Sequence, residues 1–346
     1  MIDPHVHLRD WKQKDKETIE HGLSAARKAG ITRVFDMPNT DPALTERSVI
    51  LDRLALASPS AKKHRVSYSL YAGITNDISR LSDLVSLHSE LFPLVIGLKM
   101  FLANSTGNMG ITDKKMQEEI IKNLALLNYS GVLAVHAEDE SFFESAKEDP
   151  SDWSSHSYAR PAISESKSVK NIITLCEKYS FSGNLHICHV STRLALDEIR
   201  KAKERKVIRI SCGATAHHAL LTFSDAKERN RYLKMNPPLR FQSDRDAVYD
   251  ALKSGLVDFV ESDHAPHTLE DKERGAGGIP GFAGTLLLLD HLVRDGVDEE
   301  RIKDLFGGNV LKVFNLKEEE VFIPKDRKRR FSLVLDEYPV KPFLWF

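Results

Sequence analysis

The chain contains 346 residues with 49 basic and 50 acidic side chains, which gives a formal net charge of −1. This balance excludes a nucleic-acid-binding protein that depends on bulk positive charge. The 3 cysteines are too few for a disulfide framework, and no run of about 18 apolar residues is present that could span a bilayer. The N-terminus lacks the pattern of a secretory signal, so we expect a globular cytoplasmic protein.

Short β-branched segments alternate with longer amphipathic segments along the chain. The predicted strands are Ile2–His7, Thr32–Met37, Arg65–Tyr71, Val95–Phe101, Val132–His136, Asn184–His189, Val207–Ser211 and Val257–Ser262. The predicted helices are Glu17–Ala29, Ser48–Ala57, Ile78–Leu91, Asp113–Leu127, Ser164–Tyr179, Thr192–Glu204, Arg245–Ser254 and Ala283–Arg294. Such alternation predicts a parallel sheet in an α/β protein, and eight units predict a (β/α)8 TIM barrel. A doubly wound open sheet is the alternative.

The periodic pattern weakens towards the C-terminus. We therefore predict a barrel over residues 1–315 and a short C-terminal extension, β-stranded or irregular, over residues 316–346. Within this extension, Phe331–Phe346 has the pattern of one or two short strands interrupted by prolines. The first predicted strand begins almost at Met1, so we expect no N-terminal β domain.

Two histidines lie on one face of the first predicted strand. In His5-Val6-His7 the imidazoles are two residues apart, and side chains at that spacing point to the same side of a strand. Both can therefore reach one metal ion at the carboxyl end of the strand. Surface or capping histidines are the alternative explanation for this pattern taken alone.

Lys99 closes the fourth predicted strand between apolar residues, where an isolated lysine would extend to solvent. Beside two cations its ammonium would be repelled, whereas a carbamate formed with CO₂ would be an anion that can bridge two metals. The fifth and sixth predicted strands end with His136 and His189, and Asp263 directly follows the eighth. Each alone has a structural explanation, because histidines also fill cores and aspartates cap helices.

These ligand-type residues share one location, the carboxyl rim of the predicted barrel, where active sites of this fold form. They are His5, His7, Lys99, His136, His189 and Asp263. Imidazole and carboxylate ligands suit zinc, with other divalent first-row ions as alternatives. The pattern therefore predicts a two-metal centre bridged by carboxylated Lys99, an arrangement that fits hydrolysis.

Further polar residues on the same rim point to the substrate. Arg9 lies two residues past His7 and can form a forked pair with a carboxylate, and His267 follows Asp263 by four residues. Together Arg9 and His267 predict an anionic substrate. Asn39 and Asn236 offer amide donors and acceptors, with turn formation as their alternative role.

These motifs resemble those of the dihydroorotase family, in the metal-dependent amidohydrolase superfamily. The matching segments are DPHVHLRD (3–10), MPNT (37–40), GLKMFLANSTG (97–107), VHAEDE (135–140), HICHVST (186–192), MNPPLR (235–240) and SDHAPHTLEDK (262–272). They cover most of the predicted barrel, and the combination of HxHxR, NPPLR and DHAPH is highly specific.

The resemblance implies two Zn²⁺ ions and a defined reaction. One ion would be held by His5, His7 and Asp263, the other by His136 and His189, with carboxylated Lys99 between them. The reaction would be the reversible cyclisation of N-carbamoyl-L-aspartate to L-dihydroorotate in pyrimidine biosynthesis, with Asp263 as the catalytic proton carrier.

The resemblance also implies residues that contact the substrate. These are Arg9, Asn39, Asn236, His267, Gly278 through its backbone, and Thr106 on a loop expected to close over the substrate. The expected partner is thus a small molecule, without nucleic acid or membrane. A homo-oligomer, and association with aspartate transcarbamoylase by family analogy alone, are left open.

Two rival functions remain at this point. A related cyclic amidase, of the dihydropyrimidinase or allantoinase type, would use the same metals on another ring. Dihydropyrimidinase-like chains usually carry tyrosine five residues after the bridging lysine, where this chain has Asn104. A non-catalytic dihydroorotase-like assembly subunit should have lost metal ligands, and all six are present here.

Overall fold

A computed structural model describes residues 1–104, 109–228 and 232–345. Its eight strands form one sheet in the order β1 to β8, with each strand parallel to the next. The strands are β1 Ile2–Val6, β2 Arg33–Asp36, β3 Ser67–Gly73, β4 Val95–Phe101, β5 Val132–His136, β6 Asn184–Ile187, β7 Arg209–Thr215 and β8 Phe259–Glu261. The predicted (β/α)8 barrel is confirmed.

Helices surround the sheet and fill the connections between its strands. They are α1 Ile19–Ala29, α2 Arg47–His64, α3 Leu81–Leu91, α4 Lys114–Leu126, α5 His156–Ala159, α6 Ala162–Lys178, α7 Arg193–Arg205, α8 Ala216–Leu220, α9 Phe223–Glu228, α10 Gln242–Ser254, α11 Leu269–Glu273, α12 Phe282–Arg294, α13 Glu299–Lys303, α14 Asn309–Val313 and α15 Arg327–Leu335. Across the described parts of the chain, none of these helices has the length and apolarity needed to cross a bilayer.

The sheet curls back on itself where β8 meets β1. Val6 pairs with His264 in an isolated parallel bridge, and the His7 N–H donates to the His264 carbonyl at 2.7 Å. The residues that follow β8 therefore lie directly beside those that end β1. This closure brings the carboxyl ends of all strands around one opening, as the barrel architecture requires.

The opposite end of the barrel is filled by aromatic side chains. Phe314, just after α14, packs against Phe35 with ring centroids 5.0 Å apart at 65°, and it also contacts Tyr71 and Phe259. All four rings are buried. Edge-to-face packing of this kind stabilises a buried apolar interior. The aromatic rings close this end of the barrel, so a small molecule can enter only from the carboxyl end.

The C-terminal extension differs from the sequence prediction. Residues 316–346 were expected to be β-stranded or irregular, but the extension contains helix α15, which packs against α12 and α1. Val334 and Leu335 at the end of this helix are buried, as is Tyr338 shortly after it. The run Phe331-Ser332-Leu333-Val334 predicts a strand from its local β propensity. It forms a helix instead because tertiary packing against α12 overrides that propensity.

A buried ion pair fixes the segment that follows β1. The Arg53 guanidinium donates to Asp36 Oδ2 at 2.7 Å and to the carbonyls of Leu8 and Arg9 at 2.5 and 2.6 Å. Asp36 Oδ1 accepts the Leu8 N–H at 2.9 Å, and Tyr68 donates to Asp36 Oδ2 at 2.6 Å. Arg53 and Asp36 have no exposed surface. This cluster holds the backbone that carries Arg9.

We predict that Arg53→Met lowers the free energy of unfolding by about 3–5 kcal/mol, because it leaves the Asp36 carboxylate buried without its cation. Denaturant unfolding followed by circular dichroism measures this loss. Arg47→Met is the matched control, since Arg47 pairs with Glu90 at the surface, where both side chains are about half exposed. Its loss should stay within about 1 kcal/mol. Equal losses for the two variants would show that the buried cluster does not stabilise the fold.

Candidate active site

A pocket opens at the carboxyl ends of the strands, above the filled interior. Most of the residues that the sequence selected as ligands or substrate contacts line it. The lining is His5, His7, Arg9, Asn39, Phe101, His136, His189, Asn236, Asp263, Ala265, Gly277 and Gly278. The fold thus brings together side chains that are up to 273 residues apart in the chain. Some lie at strand ends, and others, such as Asn39 after Pro38 and Asn236 before Pro237, lie in loops.

Asp263 joins the two histidines of β1 and its following turn. Its Oδ1 lies 3.0 Å from His7 Nε2 and 3.4 Å from His5 Nε2. These three ligand atoms lie within 4.8 Å of one another, and all three side chains are largely buried. The arrangement can therefore hold one divalent cation.

A second pair of imidazoles faces each other across β5 and β6. His136 Nδ1 lies 3.2 Å from His189 Nε2. Two nitrogens bound to the same tetrahedral ion at about 2.0–2.1 Å would be separated by a similar distance. The His5 and His189 rings are 5.1 Å apart, so the two candidate ion positions are adjacent.

Two of these residues adopt a backbone conformation that is uncommon for non-glycine residues. His189 has φ of 36° and Asp263 has φ of 47°. Each lies two residues past the end of its strand, because β6 ends at Ile187 and β8 ends at Glu261. Left-handed backbone at such positions is concentrated at functional sites. Cys188 also lies inside the barrel, beside Lys99, so two successive residues, Cys188 and His189, both face the interior at this point.

Lys99 is fully buried beneath this cluster, and its Nζ lies 3.1 Å from Cys188 Sγ. Among the described residues, no carboxylate lies within 4.0 Å of that nitrogen. Lys272, also buried, differs in that its Nζ donates to three backbone carbonyls at 2.8–2.9 Å. A buried ammonium that lacks such partners is costly. Lys99 therefore differs from Lys272 in that, among the described residues, its nitrogen contacts a thiol and no backbone carbonyl.

Burial lowers the pKa of His5 and His189 well below the usual range, and neighbouring Lys99 and imidazoles lower both further. The pKa of His136 is also lowered, mainly by burial, although Glu138 opposes the shift. The three rings are thus neutral near pH 7, which is the form that ligates metal. The site thus has neutral imidazole nitrogens that face each other and a carboxylate, above a buried lysine that contacts a thiol. Such a set of side chains fits a centre of divalent cations.

Arg9 lies at the other side of the pocket and is 2% exposed. Its Nε donates to the Pro266 carbonyl at 3.2 Å, and one terminal nitrogen lies 3.3 Å from His267 Nε2. Within the described chain it forms no salt bridge, since Asp10 accepts backbone N–H groups of α1 and its preceding turn, and Glu138 pairs with Arg160. A buried guanidinium without a carboxylate partner is suited to an anionic ligand.

The two predicted asparagines both line the pocket, and each contacts a histidine. Asn39 Oδ1 lies 2.7 Å from His7 Nδ1. Asn236 Oδ1 lies 2.7 Å from His156 Nε2, whose other nitrogen is 3.2 Å from Glu148. The first contact favours the His7 tautomer whose Nε2 is free to bind an ion. The second orients the Asn236 amide towards the pocket.

Gly278 has φ of 132°, and an added Cβ would lie 2.8 Å from the Ala265 carbonyl oxygen, so only glycine fits. Its N–H donates to the Lys234 carbonyl at 2.9 Å, and its carbonyl accepts from Lys272. Its backbone groups thus shape the loop that lines the pocket. Thr106, predicted on a closing loop, lies outside the described residues.

Sequence reasoning missed two buried carboxylates beside the histidines. Glu138 Oε2 lies 3.2 Å from His136 Nε2. Glu261 lies beside His5, His186 and the backbone of His189. A signal for both was present, because each acid is two residues from a predicted ligand within a strand-end motif and thus belongs to the same rim.

The sequence matches known proteins along most of its length. Residues 1–194 match the family model described as dihydro-orotase-like. A dihydroorotase of Pyrococcus abyssi is 34% identical over 349 residues, which cover 99% of this chain and 76% of the relative. A dihydroorotase of Thermococcus kodakarensis is 34% identical over 352 residues, with the same shares covered.

Solved structures agree on the fold. L-hydantoinase (dihydropyrimidinase) from Arthrobacter aurescens superposes with a TM-score of 0.80 and 24% identity, over 91% of this chain and 70% of that one. Dihydroorotase from Campylobacter jejuni superposes with a TM-score of 0.70 and 21% identity, over 92% of this chain and 84% of that one. At these identities the structures show the shared barrel alone. The sequence matches go further, and they establish that the chain belongs to the dihydroorotase-like family.

Proposed function

We propose that this chain is a metal-dependent cyclic amide hydrolase that interconverts N-carbamoyl-L-aspartate and L-dihydroorotate, a step of pyrimidine synthesis. The observation that carries the proposal is the buried Arg9 guanidinium, which forms no salt bridge within the described chain and lies on the same pocket as a histidine and aspartate cluster. Dihydroorotate carries a carboxylate beside its scissile amide. The relatives named dihydroorotase support the same substrate.

The cyclic-amidase alternative is weaker on the same observation. A dihydropyrimidine ring lacks the carboxylate that Arg9 is placed to bind. Position 104, five residues after Lys99, is asparagine rather than the tyrosine typical of dihydropyrimidinases. Loss of catalysis is not supported either, because each of the six ligand-type side chains is present.

The proposed centre contains two zinc ions. His5, His7 and Asp263 would hold one ion, His136 and His189 the other, and carboxylated Lys99 would bridge them. When bound, such a pair of ions would activate water and polarise the scissile carbonyl. Carboxylation of Lys99 would place an anion between the two ion positions, in addition to the carboxylates of Asp263, Glu138 and Glu261 beside the histidines.

Asp263 is the proposed proton carrier, since its carboxylate lies between His5 and His7 at the floor of the pocket. In hydrolysis it accepts a proton from the attacking water and delivers it to the ring nitrogen as the C–N bond breaks. In cyclisation it removes a proton from the ureido nitrogen as that nitrogen attacks the carboxyl carbon, and it returns the proton to the carboxyl oxygen that leaves as water when the C–O bond breaks. Arg9 and His267 hold the second carboxylate away from the reacting bond, so the substrate is oriented before reaction.

The remaining residues would bind and enclose the substrate. Asn39, Asn236 and the Gly277–Gly278 turn line the pocket, and Thr106 is proposed to donate a hydrogen bond from the loop that closes over it.

The three cysteines are buried free thiols, which supports a reducing compartment, and we propose a cytoplasmic enzyme. A homo-oligomer or a complex with aspartate transcarbamoylase would be a further property of the family, for which no surface is assigned.

Lys99→Ala tests the bridging role. We predict loss of bound metal together with loss of dihydroorotate turnover, because no other side chain supplies an anion at this position. Short carboxylic acids should restore part of both. Metal content by atomic emission and activity on both substrates are the measurements.

Lys272→Ala is the matched control, since it also removes a buried lysine but one that donates to backbone carbonyls. It should lower stability and retain the metal. Full metal content and near-normal turnover in the Lys99→Ala protein would contradict the proposed bridge.

Arg9→Met tests the assignment of the substrate. Removing one partner of a desolvated charge pair typically costs about 2–5 kcal/mol, which corresponds to roughly 30-fold to several-thousand-fold in kcat/KM for dihydroorotate. Metal content should be unchanged, because Arg9 is not a proposed ligand. Any trace activity on dihydrouracil, which has no carboxylate, should survive.

The contrary result is an equal loss on both substrates accompanied by a lower melting temperature. Arg9 would then be a structural residue, and the proposed position of the substrate carboxylate would be wrong.

A further inference from the structure

Glu261, the last residue of β8, contacts three parts of the site with one buried carboxylate. Its Oε2 lies 3.3 Å from His5 Nδ1 and accepts the backbone N–H of His189 at 2.9 Å. Its Oε1 pairs with His186 Nε2. Glu261 and His186 are each at most 1% exposed. One side chain therefore links β8 to residues of β1 and β6.

The contact with His5 bears on which ring nitrogen can bind an ion. His5 Nε2 is turned towards Asp263, whereas Nδ1 is buried and faces Glu261 without a completed hydrogen bond. A neutral imidazole carries one proton, and a carboxylate beside Nδ1 favours the proton there. A small rotation of the ring completes that hydrogen bond and leaves the Nε2 lone pair for a metal.

The contact with His189 bears on its backbone. His189 has the left-handed φ of 36°, which is uncommon for a residue with a side chain. The hydrogen bond from its N–H to Glu261 holds the peptide group in that conformation. The conformation directs Nε2 at His136, 3.2 Å away.

The neighbouring strand is shaped to make room for this carboxylate. A Cβ on Gly213 of β7 would collide with the Glu261 carboxylate. The φ of Gly213 is not in the left-handed region, so space rather than backbone conformation explains the glycine. The Glu261 carboxylate therefore occupies the space that a side chain at position 213 would need.

We infer that Glu261 is a positioning residue that sets the His5 tautomer and the His189 backbone, and so couples the two halves of the metal centre. The inference rests on the proposed role of His5 and His189 as metal ligands. It assigns to Glu261 no contact with substrate and no proton transfer.

Glu261→Gln is the primary test. Glutamine keeps the shape but not the charge, and its single oxygen can replace either Oε2, which faces His5 and His189, or Oε1, which faces His186. Its NH₂ group accepts from none of them, and a neutral amide favours a proton on His5 Nδ1 less than a carboxylate does. We expect affinity for Zn²⁺, measured by competition with a chromophoric chelator, to fall about 10–100-fold. The visible d–d absorption of the Co²⁺-substituted protein should change, with Glu261→Asp intermediate. A purely structural role would lower the melting temperature without changing the Co²⁺ spectrum.

Asp258→Asn is the matched control. Asp258 precedes β8, accepts the backbone N–H of Cys212 in β7 at 2.8 Å and pairs with Lys203, but at the far end of the barrel. It should retain the wild-type metal affinity and spectrum. Gly213→Ala is a second variant, which displaces the Glu261 carboxylate without removing its charge and should reproduce part of the metal defect even if Glu261→Gln folds poorly.

His5→Ala separates failure of the inference from failure of the proposed centre. If His5→Ala loses metal and Glu261→Gln does not, the positioning role is wrong and the centre stands. If wild type and His5→Ala bind metal equally, both are wrong. His5, Cys188 and Glu261 also form a group of potential ligand atoms. If the wild type binds an extra metal equivalent that both Cys188→Ala and Glu261→Gln lose, Glu261 is itself a ligand and the positioning role is wrong.

Discussion

A buried lysine without a carboxylate partner is the constraint on which the site depends. Lys99 has no exposed surface, and across the described residues its nearest polar contact is a thiol. His5 and His189, whose pKa values are lowered by burial, lie near it, and the carboxylates of Asp263, Glu138 and Glu261 contact the imidazoles of the cluster rather than the lysine. The proposed carbamate with bound divalent ions would satisfy these groups, because the lysine would become an anion and each facing nitrogen would gain a cation. The buried lysine is thus the main structural support for the proposed metal centre.

Buried carboxylates around the rim hold the candidate ligands in place. Asp36 accepts the Leu8 N–H just past His7, Glu138 lies beside His136, and Glu261 joins His5 to the backbone of His189. Each acid is itself paired with a buried cationic or imidazole group. Side chains on rigid strand ends, fixed by a second layer of hydrogen bonds, give the geometric precision that catalysis needs.

The bounds of two strands, and the grouping of most candidate site residues around one pocket, could be predicted from the sequence. Periodic apolar runs located β4 and β5 with the bounds that the structure shows. The left-handed turns at His189 and Asp263 could not be predicted, because tertiary contacts such as the His189–Glu261 hydrogen bond impose them. Helix α15 was missed for the same reason, since its buried face depends on α12. Glu261 was visible in the sequence, but its role depends on space left by Gly213 in another strand.

The measurement that tests this account most directly is the metal content of the purified protein, supplied with zinc, alongside its turnover of N-carbamoyl-L-aspartate and L-dihydroorotate. The account predicts two equivalents of zinc per chain and interconversion of the two substrates, with both lost on removal of the metal by a chelator and both regained when zinc is returned. A folded protein that binds no divalent metal, or that binds it and turns over dihydrouracil or allantoin but not dihydroorotate, would contradict the account.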